Sequence, residues 1–342
     1  GRALLRAGLD TAVGPGRGGQ DRQAGVAILL DAREELRAAG DQAHEADVMY
    51  YLGFGGLLDG NLPAALSAWQ DAAALAHQAG DAGREVRAQQ RVIHTLFDAG
   101  RRDEAEQLLR QAVERAPELS IATRAQVWKS QGQYLTRYGI DVEEGRALLQ
   151  RALEVGEQFG DFDLRAGSLA GLAEIDVITG AAADALRWSQ AHLDLVTALG
   201  HDWMLAAAEH WMAQSLLAAG DASAAEAHAR RATTLATGDD PSVAANAQLD
   251  LARVYDALGR AGDASEVFDG ATETFASLPF KVDVASFDLA RGAFHIANGR
   301  ADEGEAHVAR ARTAYEAFLG PQTPFLAYAD RIVASAQERA AH

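Results

Sequence analysis

The sequence predicts an all-α protein, a solenoid of antiparallel helix hairpins, and three observations carry that prediction. The first is a glycine that returns at nearly fixed distance: Gly60, Gly100, Gly139, Gly180, Gly220, Gly259 and Gly299 stand 39 to 41 residues apart. The second is a frame of small residues around it. Seven positions before the marker sit Gly53, Gly132, Ala173, Ala213, Ala252 and Gly292, with Ile93 the bulky exception. Five after it sit Ala65, Ala105, Ala185, Ala225, Ala264 and Gly304, and twelve after it Ala72, Ala112, Ala232, Ala271 and Ala311. The copy after Gly139 needs one extra residue, which brings Gly145 and Ala152 into frame. The third is the weakness of any strand signal, since no stretch alternates with period two in Val, Ile and Thr. A fixed period of this length marks stacked supersecondary units.

One copy explains the rest. In Asn246 to Phe275, residues Leu251, Ala252 and Tyr255 share a face at helical spacing. Gly259 stops that helix, because glycine takes the left-handed conformation without a Cβ penalty. Ala264, Phe268 and Ala271 then form a second stripe. The alanines let two helices approach closely, and Tyr255 and Phe268 fill the space between them.

These positions carry a resemblance. Leu251-Ala252, Tyr255, Gly259, Ala264, Phe268 and Ala271 match the marker positions of the tetratricopeptide repeat, as do Leu52-Gly53, Gly60, Ala65, Trp69 and Ala72. The family repeat is 34 residues. Here it is about 40, which implies about one more helical turn per hairpin, and the usual proline late in the repeat is mostly missing. Long repeats of this kind resemble the sensor domains of large bacterial signalling ATPases and transcription regulators of the maltose-regulon-activator type. From Ala43 to Gly320 the resemblance implies a right-handed superhelical solenoid, its first helices lining the concave face and its second helices the convex face.

In chain order, residues 2–13 read as a short helix, 14–20 as a glycine-rich connector, and 21–39 as an amphipathic helix with Val26, Leu29, Leu30 and Leu36 on its apolar side. Residues 1–40 are thus an atypical first repeat. Seven regular hairpins fill 41–320, within one solenoid spanning 1–342. Their first helices are expected near 42–59, 82–99, 119–138, 162–179, 202–219, 241–258 and 281–298. The second helices are expected near 62–79, 102–116, 142–159, 182–199, 222–237, 262–277 and 302–319. Gly-Asp pairs at 40–41, 80–81, 160–161 and 220–221 punctuate the junctions, the glycine ending one helix and the aspartate capping the next. Pro63 fits a first helical turn, and Pro117, Pro241, Pro279 and Pro321 fit between helices. Residues 321–342 hold a capping helix, Phe325 to Arg339, with Leu326, Ile332 and Val333 toward the last hairpin and Arg331, Gln337, Glu338 and Arg339 outward.

Composition bounds function. The net charge of −18 argues against a direct nucleic-acid surface, which would need clustered Lys and Arg. It suits solubility or a basic partner. With no cysteine, disulfides, thiolate nucleophiles and thiolate metal sites are excluded. No apolar run reaches the length of a membrane span, so no membrane partner is expected and the expected location is the cytoplasm. A chain beginning at Gly1 is expected to be an excised part of something longer.

Catalytic and metal motifs do not emerge, and no cofactor or metal is expected. Gly14 to Gly19 lacks the Lys-Ser/Thr of a phosphate loop and follows no strand. His201 and His210 are nine apart, not the four that places two ligands on one helix face. Glu143-Glu144 and Asp239-Asp240 sit near turns or helix starts, where capping explains them. Asp176 stands in the slot Tyr255 fills. Rotation or partial exposure of that helix is the favoured reading, and a buried carboxylate paired with Arg165 or Arg187 the other. Trp69, Tyr255 and Phe268 are core, and core packing is also expected for Trp128, Trp203 and Trp211.

The resemblance places the ligand-facing positions six and ten residues before each marker. They are Tyr50 and Phe54, Gln90 and His94, Lys129 and Gln133, Ala170 and Glu174, His210 and Gln214, Leu249 and Arg253, with Arg137 one turn beyond Gln133. A solvated groove would also be polar. Yet Lys129 is one of two lysines in an acidic chain, and it shares this strip with Arg137 and Arg253. Such a lining suits an anionic ligand or peptide carboxylates. The expected function is a non-catalytic module that binds a peptide, protein or small-molecule effector on its concave face, within a larger bacterial regulator. The alternative is a scaffold assembling a complex, including self-association, through its convex face or ends.

Overall fold

The structure is a computed structural model, and it describes residues 1–12, 19–198, 202–236, 241–278 and 280–341. Within them every regular element is helical. The first repeat is α1 (Arg2–Ala12) and α2 (Gly19–Ala38). Seven hairpins follow: α3 (Gln42–Leu58) with α4 (Leu62–Gln78), α5 (Ala82–Asp98) with α6 (Arg102–Arg115), α7 (Ile121–Arg137) with α8 (Val142–Phe159), α9 (Phe162–Thr179) with α10 (Ala182–Thr197), α11 (Asp202–Ala218) with α12 (Ala222–Leu235), α13 (Pro241–Ala257) with α14 (Ala261–Ser277), and α15 (Lys281–Ala297) with α16 (Ala301–Leu319). A 3₁₀ turn at Ala116–Glu118, holding Pro117, follows α6, and α17 (Pro324–Ala340) closes the chain. Each odd-numbered helix from α3 to α15 packs on the next odd-numbered one, so the hairpins stack into a superhelical solenoid.

The punctuation works as the residue types dictate. All seven marker glycines have φ between 65° and 86°, the left-handed region closed to most side chains. Asp41, Asp81, Asp161 and Asp221 each accept a backbone N–H of the following helix. The small frame positions set the hairpin spacing. A Cβ on Gly132 would stand 2.7 Å from the Gly145 carbonyl, and one on Gly304 would stand 2.6 Å from the Gly292 carbonyl, so those helix pairs touch backbone to backbone. Trp69, Phe268, Phe275 and Tyr315 fill the gaps, all at most 1% exposed.

Three details depart from expectation. Leu30 is exposed, because Leu29 and Leu30 lie about 100° apart on α2 and only Leu29 faces Leu36 and Val48. Asp176 is fully buried, so rotation and partial exposure do not apply. Its partners are Arg146, from the preceding hairpin, and Trp188, whose indole N–H donates at 3.0 Å, rather than Arg165 or Arg187. Burial raises its pKa, and the Arg146 contact opposes that rise. Finally, Arg331 and Arg339 do not point away from the protein. Arg331 donates to the Ile178 carbonyl of α9, and Arg339 bonds Asp256 of α13, 2.9 Å to the carboxylate.

Those arginines reveal the course of α17. It packs on α15 and α16, with Leu326, Ile332 and Val333 against their apolar residues, and it also meets α9 and α7. Thr323 Oγ1 donates to the Arg137 carbonyl at 2.7 Å, and Gly139 lies so close to Gln322 that a Cβ there would strike its carbonyl. The end of the chain therefore returns across the solenoid to its middle repeats.

Candidate functional site on the inner face

The strip six and ten residues before each marker falls into two parts. The first runs along α3, α5 and α7. Tyr50 is buried in the core, its hydroxyl accepting from Arg91 Nε at 3.2 Å and its ring covered by the Arg87 guanidinium, 4.2 Å from the ring centre. Phe54 stacks edge-on against Tyr50 and Trp69. Arg91 lies over the Phe54 ring, 4.6 Å from its centre. Gln90 is 3% exposed, and neither its amide oxygen nor its nitrogen has a partner. His94 shares a 3.0 Å hydrogen bond with Ser130. Lys129 is 8% exposed, and its ammonium donates to Gln126 Oε1 at 3.1 Å. Gln133 reaches toward the Gly167 carbonyl at 3.5 Å, and its own side-chain oxygen is unpaired. Lys129 and Gln133 extend over the bare backbone of α9, where Gly167 and Gly171 leave room for them.

Burial and neighbouring cations shape the electrostatics of this part, with Asp161 and Asp163 acting against them. Burial, with the Arg91 charge beside it, pushes the Lys129 ammonium down to about 8. Burial holds His94 well below its ordinary value, with Lys129, Arg91 and Arg137 adding to the effect. Neither Arg91 nor Lys129 pairs with a carboxylate: the polar partners of both are neutral, Tyr50 and Gln126. Burying a cation without a bonded counter-charge is costly; Lys129 is buried and Arg91 half-buried beside it, and the Asp163 charge, with Asp161 for Lys129, acts on them without a bond.

The second part is a cavity of about 380 Å³ walled by α9, α11, α13 and α15 and roofed by α17, with Leu57 of α3 and Arg137 of α7 at its edge. The solenoid walls come only from first helices and the Phe280 turn. Six expected residues meet here: Arg137, Glu174, His210, Gln214, Leu249 and Arg253. Arg137 is already held by Glu174, at 2.9 to 3.1 Å. The His210 imidazole bonds the buried Asp250 carboxylate at 2.6 Å, with Gln214 at 3.2 Å from the other ring nitrogen. Burial disfavours the His210 cation, but the Asp250 charge and hydrogen bond outweigh it and raise its pKa. Arg253 donates to Tyr328 of α17 at 2.5 Å.

Several lining residues escaped the sequence reading. Asn246 and Ser242 extend the strip one and two turns toward the start of α13, at the 4, 3, 4 spacing of a helix face. That signal was present. Trp211, expected in the core, lines the cavity edge-on to His210. Asp283 accepts from Ser242 at 2.9 Å and Asn246 at 3.3 Å. Phe325, Tyr328 and Ile332 reach the cavity because α17 folds back, which no spacing in the chain announces. His201, Asp239-Asp240 and all but Gly19 and Gln20 of the 14–20 connector lie outside the described residues, as does the Trp203 side chain. Among the described residues no group of three or more His, Asp and Glu could hold a metal ion, and no helix is long and apolar enough to cross a membrane.

No protein-family model and no curated protein matches this chain. Solved structures do. Similar chains include a Rap protein complexed with competence and sporulation factor, at 13% identity and TM-score 0.52, covering 87% of this chain and 99% of that one. The apo form of RapI is similar at 13% identity and TM-score 0.57, covering 80% and 98%. A signal-transduction ATPase with a tetratricopeptide repeat sensor from Pyrococcus horikoshii is similar at 13% identity and TM-score 0.55. That match covers 92% of this chain and 52% of the ATPase. The fold shared with all three is the tetratricopeptide-repeat-like solenoid.

Proposed function

We propose that this chain is a non-catalytic binding module that takes an anionic ligand, a peptide or protein segment rich in carboxylates or a small anionic effector, on the inner face of its solenoid. The observation that carries this reading is the pair Arg91 and Lys129. Lys129 lies on the inner strip of an acidic protein and Arg91 beside that strip, each hydrogen-bonded only to a neutral group, near the unpaired amide of Gln90. An arriving carboxylate would supply the missing counter-charge through charge-assisted hydrogen bonds. Arg137, already held by Glu174, supports the wall rather than the ligand. The similarity to Rap proteins and to a tetratricopeptide repeat sensor supports a regulatory use, the chain sensing a partner for a larger regulator.

The test pairs capture with stability. Arg91→Gln, Lys129→Met protein is run beside wild type in a pull-down from lysate, followed by mass spectrometry for proteins and small molecules. Lys129 has its folded pKa depressed to about 8 from 10.5, so the folded state disfavours its charge. That penalty is absent above pH 10.5 and is felt in full once pH falls below about 8. Lys129→Met therefore relieves a cost at pH 7, whereas Arg91→Gln forfeits the Tyr50 hydrogen bond and the Phe54 ring contact, so the double variant is expected to stay folded while losing an anionic partner. Retention of every wild-type partner by a folded variant would remove the reading.

A further inference from the structure

The roofed cavity carries charges that the anion site does not use. Arg137 is paired with Glu174, and His210 with Asp250. Two opposite charges in the cavity wall remain, and they do not bond each other. Asp283 is held through one carboxylate oxygen by the neutral Ser242 and Asn246, and its Oδ1 makes no hydrogen bond. Arg253 is held through one nitrogen by the neutral Tyr328, its one hydrogen-bond partner among the described residues, and the Asp250 charge acts on it without a bond. Burial raises the Asp283 pKa against the pull of Ser242, Asn246 and the Arg137 and His210 charges, as expected for a carboxylate short of a cation.

Their placement sets the size of a ligand. Asn246, which touches Asp283, and Arg253 are seven residues apart on α13, about 10 Å of helix rise. Helical side chains lean toward the N-terminus, so the Arg253 guanidinium is drawn back toward Asn246. The gap between the two charges suits a molecule whose own charges are several bonds apart, longer than a free α-amino acid. Leu249 of α13 and Leu289 of α15 follow Asn246 and Asp283 in the wall, with Ser286 the polar residue beside them and Trp211 also in the lining.

We infer that the cavity between α13, α15 and α17 binds a small zwitterion with an apolar middle, its ammonium on Asp283 and its carboxylate on Arg253. This site is separate from Arg91 and Lys129, and their replacement leaves it intact.

The probes are ω-amino acids of four to eight carbons, titrated into the full chain by calorimetry and by Trp fluorescence. Hexylamine and hexanoate serve as controls that each lack one charge. One member of the series, expected near 6-aminohexanoate, should bind at least tenfold more tightly than either control and perturb Trp211 emission. In Asp283→Asn protein its affinity should fall to that of hexanoate, while hexanoate itself binds as to wild type. Arg253→Gln should show the mirror result with hexylamine. If no member of the series binds wild-type protein, or if both controls bind within threefold of the best member, the inference fails. The wild-type comparison alone decides the question should either variant misfold. Capture of an anionic partner through Arg91 and Lys129 stands or falls independently.

Discussion

At the scale of single residues, buried titratable groups set the response to pH. His192 is buried in α10 with its Nδ1 unpaired, and burial pushes its pKa down to about 4. The folded state binds this proton less readily than the unfolded state, whose pKa is near 6.5. The stability due to neutral His192 is thus fully present above pH 6.5 and lost as pH falls toward 4. The difference amounts to about 3 kcal/mol across that window. Denaturant titrations of wild type and His192→Leu at pH 7 and pH 4 should show the wild type losing about that much more. Equal losses in both would mean that the unpaired nitrogen is met in solution. Asp176 shows how far sequence reaches at this scale. Its odd place in a core slot was visible, but its partner Arg146 comes from the preceding hairpin, so the search nearby stopped at Arg165 and Arg187.

At the scale of the helix pair, the same residue type has opposite meanings. Gly304 and Gly270 both lie inside helices. A Cβ on Gly304 would meet Ile296 at 2.5 Å and the Gly292 carbonyl at 2.6 Å, whereas one on Gly270 meets nothing within 4 Å. Gly304→Ala should destabilise the protein by about 1–3 kcal/mol through overpacking. Gly270→Ala should stabilise it by about 0.5–1 kcal/mol through helix propensity. Chemical denaturation of the two variants checks both signs at once, and matching shifts would refute the hairpin geometry. The frame of small residues made this contrast readable in part. Gly304 falls five after a marker and Gly270 falls at no frame position. Helix limits were legible for the same reason, since glycine and aspartate act within a few residues of themselves.

At the scale of the whole molecule, the return of α17 joins the end of the chain to its middle repeats. The bonds from Arg331 to Ile178 and from Arg339 to Asp256 tie α17 to α9 and α13. Removing both side chains by Arg331→Ala and Arg339→Ala should cost about 1 kcal/mol per bonded group. Amide exchange in α17 should then quicken about tenfold or more, with exchange in α4 and α8 unchanged. Uniform exchange across the chain, or none altered in α17, would show that these contacts do not hold the helix. The same variant is expected to weaken the zwitterion site, because Tyr328 positions Arg253 from α17.

By itself the sequence determined the hairpins, their limits and the solenoid, because period, caps and small-residue contacts act locally or between neighbouring repeats. It also grouped residues that the structure brings into one cavity wall, such as Glu174, His210 and Arg253, since a helix face repeats in register with the marker glycine. Which charges in that strip are already paired was decided only in three dimensions. Arg137 is matched by Glu174 and Lys129 by no carboxylate, although both looked alike as basic residues on one strip. Tertiary structure alone also made the cavity, by bringing α17 back to α9 and α13. Such contacts span 75 to 186 residues of chain, a distance over which helical periodicity and capping carry no information.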